Sequence, residues 1–109
     1  MMNDDSQHLK RIRQIVKDWS DPFKDFLTSH VNSVDGCERL LSMIHEIQAD
    51  RTQTRIESGN AYYVGMTDDG VFVQNMWDEE MPVQEYSLEE FERLLLPRLE
   101  QVKCKERGY

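Results

Sequence analysis

The sequence predicts an α+β fold: N-terminal helices, an antiparallel β-meander of three to four strands, and a C-terminal helix. Up to residue 50, apolar residues recur every three or four positions, which is typical of amphipathic helices. Over residues 52–86 the period falls to two, and aromatic and β-branched residues become frequent, as they do in strands. A helix over 87–105 then follows a capping signal. Because helices and strands occur in separate runs, the helices are expected on one face of the sheet.

Three helices are predicted in the first 50 residues. The first opens at Ser6, a residue type that caps helices well. The second opens at Asp21-Pro22, with the aspartate as cap and the proline in the first turn, and it ends near His30. The third follows a cap at Asn32-Ser33 and continues for about four turns, because its apolar residues keep the helical period over that length.

Four strands are predicted in the meander, over residues 54–57, 61–67, 71–77 and 83–86. The second and third flank Asp69-Gly70, a dipeptide that favours a two-residue hairpin turn. With that turn, Met66 is expected opposite Val73. The helix that follows the meander begins with a capping box at Ser87, and Pro97 is expected to kink or break it.

The hairpin has two faces with different side chains. The first face carries Tyr62, Val64, Met66, Val73 and Trp77. The second carries Tyr63, Gly65, Phe72, Gln74 and Met76. We predict that the second face is core beneath the helices. If the helices cover the first face instead, the second becomes an exposed apolar platform, which is typical of a binding surface.

Length and composition are those of one compact domain over residues 1–109, since the chain is of ordinary domain size and holds ten aromatic residues. Cys37 and Cys104 are too sparse to indicate a disulfide scaffold, so both are expected to be reduced. The N-terminus has no apolar stretch of the signal-peptide kind, and no apolar run is long enough to span a bilayer. These observations favour a cytoplasmic protein.

Charge is distributed very unevenly along the chain. Residues 56–92 contain ten acidic residues and no Lys or Arg. The rest of the chain holds 11 acids and 13 bases, so the net charge of −8 comes from this segment. Segregated like charge costs stability through self-repulsion, but it attracts a partner of opposite charge. The sequence therefore indicates a surface that binds a basic partner.

Most of these acids are expected in turns and at a helix start. The hairpin prediction places Asp68 and Asp69 at one end of the sheet and the turn 78–80 at the other. Glu85 and the first turn of the last helix are expected near the second end. A basic partner could bind at either end, but the two ends are not expected to form a single patch.

Other uses of these residues receive little support from the sequence. Asp68-Asp69-Gly70 lacks the alternating oxygen ligands of a calcium loop, and the histidines and cysteines are not spaced for zinc. His30 and His45 are expected at helix surfaces or rims, and no nucleophile or phosphate-binding motif is present. We predict no catalytic residue, no metal ligand and no cofactor. The acidic charge also disfavours nucleic acid as a partner.

Two stretches resemble the C-terminal half of the immunity proteins that accompany contact-dependent growth inhibition and related polymorphic toxins. The first is a strand opening on Gly59-Asn60-Ala61 that leads into the Asp-Gly hairpin. The second is the acidic turn over 78–80 followed by the helix start over 87–95. The resemblance covers about 40 residues of the chain and implies a cytoplasmic inhibitor that occludes the active site of a cognate toxin. Such toxins are often nucleases with basic clefts, for which an acidic inhibitor is complementary.

The sequence therefore supports two hypotheses. In the first, the chain is a monomeric immunity protein that neutralises a basic toxin domain without any catalysis of its own. The residues expected to bind that partner are Asp68, Asp69, Asp78, Glu79, Glu80, Glu85, Trp77 and Tyr63. In the second hypothesis the chain is a small homodimeric adaptor or chaperone-like regulator, in which the apolar sheet face pairs with itself and the acids maintain solubility.

Overall fold

A computed structural model of the chain describes residue 11 and residues 13–107. The helix cap predicted at Ser6 lies outside the described residues. A first helix, α1, is described over residues 13–17. The other helices are α2 (Asp21–His30), α3 (Val34–Ala49) and α4 (Leu88–Glu106). The strands are β1 (Arg55–Ser58), β2 (Tyr62–Thr67), β3 (Gly70–Asn75) and β4 (Gln84–Tyr86).

The four strands form one antiparallel sheet in the order β1-β2-β3-β4, so the predicted meander and the α+β fold class are confirmed. The helices cover one face of this sheet, which we call the inner face. Its buried side chains on the two central strands are Tyr62, Val64, Met66, Val71 and Val73. They pack with apolar residues of the helices, among them Phe26, Ile44 and Phe91, in a single core cluster.

Serine side chains cap three of the helices. The Oγ atoms of Ser33 and Ser87 accept hydrogen bonds from backbone N–H groups three residues later, as the sequence predicts for both helices. At α2 the cap is Ser20 rather than Asp21, so the predicted cap is wrong by one residue. Asp21 lies in the first turn instead, where its negative charge interacts favourably with the positive end of the helix dipole.

Helix α4 continues through Pro97, so the predicted break does not occur. The proline is buried within the helix, and side chains from other elements bond to backbone carbonyls just before it. The indole Nε1 of Trp19 donates to the Leu94 carbonyl at 3.0 Å, and the Cys37 thiol lies 3.7 Å from the carbonyl of Leu95. These contacts attach the turn before the proline to Trp19 and α3, while Pro97 itself removes only the one helical hydrogen bond to the carbonyl of Arg93.

The β2–β3 hairpin forms with a register that differs from the prediction. Met66 lies opposite Val71, not Val73, because the two central turn residues are Asp68 and Asp69. A turn centred on Asp69-Gly70 would require a positive φ at both residues, whereas Asp69 has a negative φ. The turn moves by one residue and the pairing by two, so the residues within β2 and β3 keep their predicted faces. The prediction is wrong for Trp77, which was expected on the first face but lies beyond the end of β3 and is exposed.

Candidate partner-binding site

The outer face of the sheet, opposite the helices, is exposed and partly apolar. Tyr63, Phe72 and Val83 are exposed, and Ile56 on the edge strand keeps 75% of its surface accessible. The prediction that the Tyr63–Phe72 face is core is therefore wrong, and the alternative of an exposed platform applies. The physical reason is that the inner face is apolar on both central strands, whereas Gly65 and Gln74 interrupt the outer one.

One row of residues crosses the whole outer face. Ile56 of β1 lies opposite Gly65, which lies opposite Phe72, which in turn lies opposite Glu85 of β4. Gly65 leaves a gap in this row, since a Cβ built there would meet no atom within 4 Å. The platform thus has a hollow at its centre and a carboxylate at one margin.

Three acidic residues line a cleft at the margin of the platform. The acidic cleft, about 370 Å³ in volume, is lined by Asp69, Glu85 and Glu90 together with Phe72 and four neighbouring residues. The prediction that Glu85 and the start of the last helix lie near the turn 78–80 is therefore wrong. Because β4 runs antiparallel to β3, it returns the chain to the end of the sheet that holds Asp69.

The other predicted site residues lie beyond the opposite end of β3. Trp77 keeps 80% of its surface accessible, and its Nε1 donates to the Asn60 carbonyl at 2.7 Å, which fixes the position of the ring. The Asn75 side chain accepts hydrogen bonds from the backbone N–H groups of Trp77 and Asp78. The turn over 78–80 is therefore ordered, and part of the hydrogen-bonding capacity of Asp78 serves the turn itself.

Three of the ten acids in residues 56–92 form ion pairs with the helical half. Asp68 pairs with Arg51 at 2.7 Å, Glu92 pairs with His45, and Glu57 pairs with both His30 and Arg39. Ten minus three leaves seven acids that form no ion pair with a described basic residue. They are Asp69, Asp78, Glu79, Glu80, Glu85, Glu89 and Glu90. The pairing of Asp68 makes it a weaker candidate for partner binding than its neighbour Asp69.

The two described histidines have different environments. His45 lies on the surface of α3, as predicted. His30 lies in the predicted rim position at the end of α2 and not on the open helix surface. The residue is half-buried, its side chain is only 4% exposed, and its Nε2 lies 2.6 Å from Glu57. The His30 ring stacks on Phe26 and lies against Gly59, where a Cβ would meet the ring Nδ1 at 2.6 Å. This residue therefore fastens the β1–β2 turn to α2, which is a structural role.

The Glu57 carboxylate has a perturbed proton affinity. Burial by itself raises its pKa, but hydrogen bonds from Arg39 and His30 outweigh burial, and the net pKa lies below the ordinary 4.5. A lowered pKa in the folded state means that the ionised carboxylate stabilises the fold. That contribution to stability is fully present above about pH 4.5, the ordinary pKa of a glutamate. It is lost as the pH falls through the lower pKa that Glu57 has in the folded protein.

Glu57→Gln should lower the free energy of unfolding at pH 7 by about 2 kcal/mol, the scale of a hydrogen bond to a charged group. The difference from the wild type should shrink as the pH falls below 4.5, because the wild type then loses the same contribution. Urea unfolding at several pH values measures the loss of stability at pH 7 and its decrease at lower pH. Glu92→Gln, at a more exposed pair, is the control and should cost less than about 1 kcal/mol. A pH-independent gap for Glu57→Gln would contradict the assignment.

The cysteines are unpaired, as predicted. Cys37 is a buried core residue, and burial raises the pKa of its thiol to about 11. A thiol with such a pKa is almost entirely protonated at neutral pH and is a poor nucleophile. Cys104 is exposed on α4. Within the described part of the chain, no three or more His, Cys, Asp or Glu side chains are grouped so that they could hold a metal ion.

Sequence reasoning missed three contributors to this surface. Ile56 and Val83 flank the platform and Glu90 lines the acidic cleft. Glu90 was expected near the turn 78–80 with the first turn of the last helix, and the antiparallel return of β4 places it in the same cleft as Asp69 instead. The alternation of side chains in β1 and β4 could have indicated the exposed apolar residues.

Comparison with protein-family models, with curated proteins and with solved structures finds no match to this chain. Among the described helices, none combines the length and the apolar character that a membrane span requires. Any function must therefore be argued from the surface itself, which combines an exposed apolar platform with unpaired acids at its margin.

Proposed function

We propose that this chain is an immunity protein that binds and neutralises a basic toxin domain, in particular a nuclease, in the cytoplasm. The observation that carries the proposal is that seven acids of the base-free segment form no ion pair with the described bases, and that three of them line a cleft beside the platform. Unpaired carboxylates produce an attractive field for a cationic protein, and apolar side chains beside them can hold the complex once it forms.

The charge distribution favours a foreign partner over a second copy of the chain. Arg39, Arg51 and Arg55 each pair with a carboxylate of the same chain, so these three arginines contribute little to a basic surface that could bind the acidic cleft of a second copy. Inhibition of this kind requires neither a catalytic group nor a cofactor, since the inhibitor acts by covering the active site of its target.

The proposal is tested by producing the chain in bacteria together with the basic C-terminal domain of a secreted protein encoded directly upstream. Growth should stop when that domain is produced alone and should recover when this chain is also produced. The purified proteins should form a 1:1 complex that weakens as salt rises. Continued growth arrest in the presence of folded chain, or the absence of a toxin gene upstream, would overturn the proposal.

The exposed platform also supports a second candidate, a homodimeric adaptor in which two outer faces pair. Sedimentation at micromolar concentration distinguishes the two functions. A monomer agrees with the immunity protein, whereas a tight dimer that persists at high dilution agrees with the adaptor.

A further inference from the structure

Gly65 lies in the middle of a central strand with its missing side chain directed toward the outer face. A glycine in a strand interior costs roughly 0.5–1 kcal/mol relative to alanine, so it needs a reason. Its φ is not positive, and a Cβ would meet nothing within 4 Å, so this chain's own fold does not supply that reason. By contrast, Gly59 and Gly70 lie against other parts of the chain, where a side chain would clash.

The residues around the open space at Gly65 are mostly apolar or aromatic. Ile56 and Phe72 are its cross-strand neighbours in the row, and Tyr63 and Thr67 flank it along β2 on the same face. Glycine within a strand often marks a place where another molecule approaches closely. The missing side chain leaves room for an apolar group between these four residues, at the centre of the platform.

The acidic cleft begins in the same row, at Phe72 and Glu85. Gly65 and Glu85 are separated by two strand spacings, which is about 10 Å across the sheet. A hollow that takes an apolar side chain therefore lies a fixed distance from carboxylates that take a cation. The hollow and the acidic cleft together favour a ligand that carries both an apolar side chain and a cationic one.

We infer that a protein segment of the basic partner docks here by two points, an apolar side chain in the hollow at Gly65 and a Lys or Arg in the acidic cleft. This inference rests on the proposed function and adds the chemistry by which the partner is recognised. A second copy of the chain fits less well, because two outer faces would bring like-charged carboxylates together around the hollow.

The probe for this inference is the capped peptide acetyl-Leu-Gly-Gly-Lys-amide. The Cα atoms of its Leu and Lys can be about 10 Å apart, and the flexible Gly-Gly spacer lets both side chains turn to the same side. Added to the ¹⁵N-labelled chain up to about 10 mM, a range suited to weak binding, it should give saturable NMR shifts at Gly65, Phe72 and Glu85. Acetyl-Gly-Gly-Gly-Lys-amide and acetyl-Leu-Gly-Gly-Glu-amide, which each lack one of the two groups, should give at most a tenth of that affinity.

The matched variants are Gly65→Val and Ser58→Val. The first fills the hollow and should leave stability unchanged or raised, while it removes the peptide shifts. The second adds the same side chain on the same face at the edge of the sheet, since Ser58 lies opposite Tyr63, and should bind as the wild type does.

Equal binding by wild type and folded Gly65→Val, or no shifts with the Leu–Lys peptide, would overturn the inference and leave the proposed function to its growth test. Growth arrest that the chain does not relieve overturns the proposed function, and the inference with it, whatever the peptide result. A wild-type dimer that Gly65→Val dissociates would assign the hollow to a second copy and also overturn the inference.

Discussion

Reversing the three charges of the acidic cleft, Asp69→Lys, Glu85→Lys and Glu90→Lys together, should slow association with the toxin domain about 10–100-fold at low salt. The three carboxylates line one cleft at the margin of the platform, so their replacement turns an attractive local field into a repulsive one. Stopped-flow measurement of the association rate at several salt concentrations tests this. The salt dependence should flatten or reverse its sign, because the steering term has been removed.

A control variant distinguishes the effect of the charges in the acidic cleft on the association rate from the effect of net charge. Asp35→Lys, Glu38→Lys and Glu100→Lys change the net charge by the same amount, at exposed positions of α3 and α4 on the helical side of the sheet. The control should slow association by less than about threefold, since its charges lie beyond a Debye length of the cleft or behind the core. Equal effects of the two triple variants would mean that net charge, and not the acidic cleft, guides the partner.

Gly70→Ala should lower the free energy of unfolding by about 2–5 kcal/mol, from backbone strain and steric overlap together. Gly70 has a φ of +141°, a conformation that residues with a side chain rarely adopt, and a Cβ there would lie 2.4 Å from the Tyr86 carbonyl oxygen. The clash would push β4 away from β3. Because Gly70 and Tyr86 both line the acidic cleft, this movement would also open the cleft. Urea denaturation measures the loss, which is a large part of the stability of a small domain.

Gly65→Ala is the natural control for Gly70→Ala, because it makes the same chemical change in the neighbouring strand. A methyl group at Gly65 meets no atom within 4 Å, and the φ of that residue is not positive. The variant should therefore be unchanged or up to about 1 kcal/mol more stable than the wild type. Similar losses at both positions would show that the contact with Tyr86 is not what requires glycine at position 70.

Sequence rules correctly predicted the features that depend on residues close together in the chain. The serine caps at Ser33 and Ser87 depend on a hydrogen bond three residues away, and both were predicted correctly. A kink or a break was predicted at Pro97, and the break does not occur. The carbonyls of Leu94 and Leu95 just before the proline are contacted by Trp19 and Cys37, which are distant in sequence. The contact between His30 and Glu57 likewise joins residues 27 positions apart, and it was not predicted.

The candidate site could be predicted only in part. The acid-rich segment and the platform residues were found from the sequence. The helices cover the face that is apolar on both central strands, and the interruptions at Gly65 and Gln74 on the other face were a signal in the sequence that the prediction did not use. The sequence prediction therefore placed Tyr63 and Phe72 in the core, whereas the structure exposes both.

By itself the sequence determined the fold class, the division of side chains between two sheet faces and the location of the net charge in residues 56–92. These properties follow from periodicity and composition, which act over a few neighbouring residues. Only the tertiary structure decided that Glu85 and Glu90 join Asp69 at one cleft, and that Gly65 is open to the outside. Both depend on the antiparallel return of β4 and on helix packing, which bring together residues far apart in the chain.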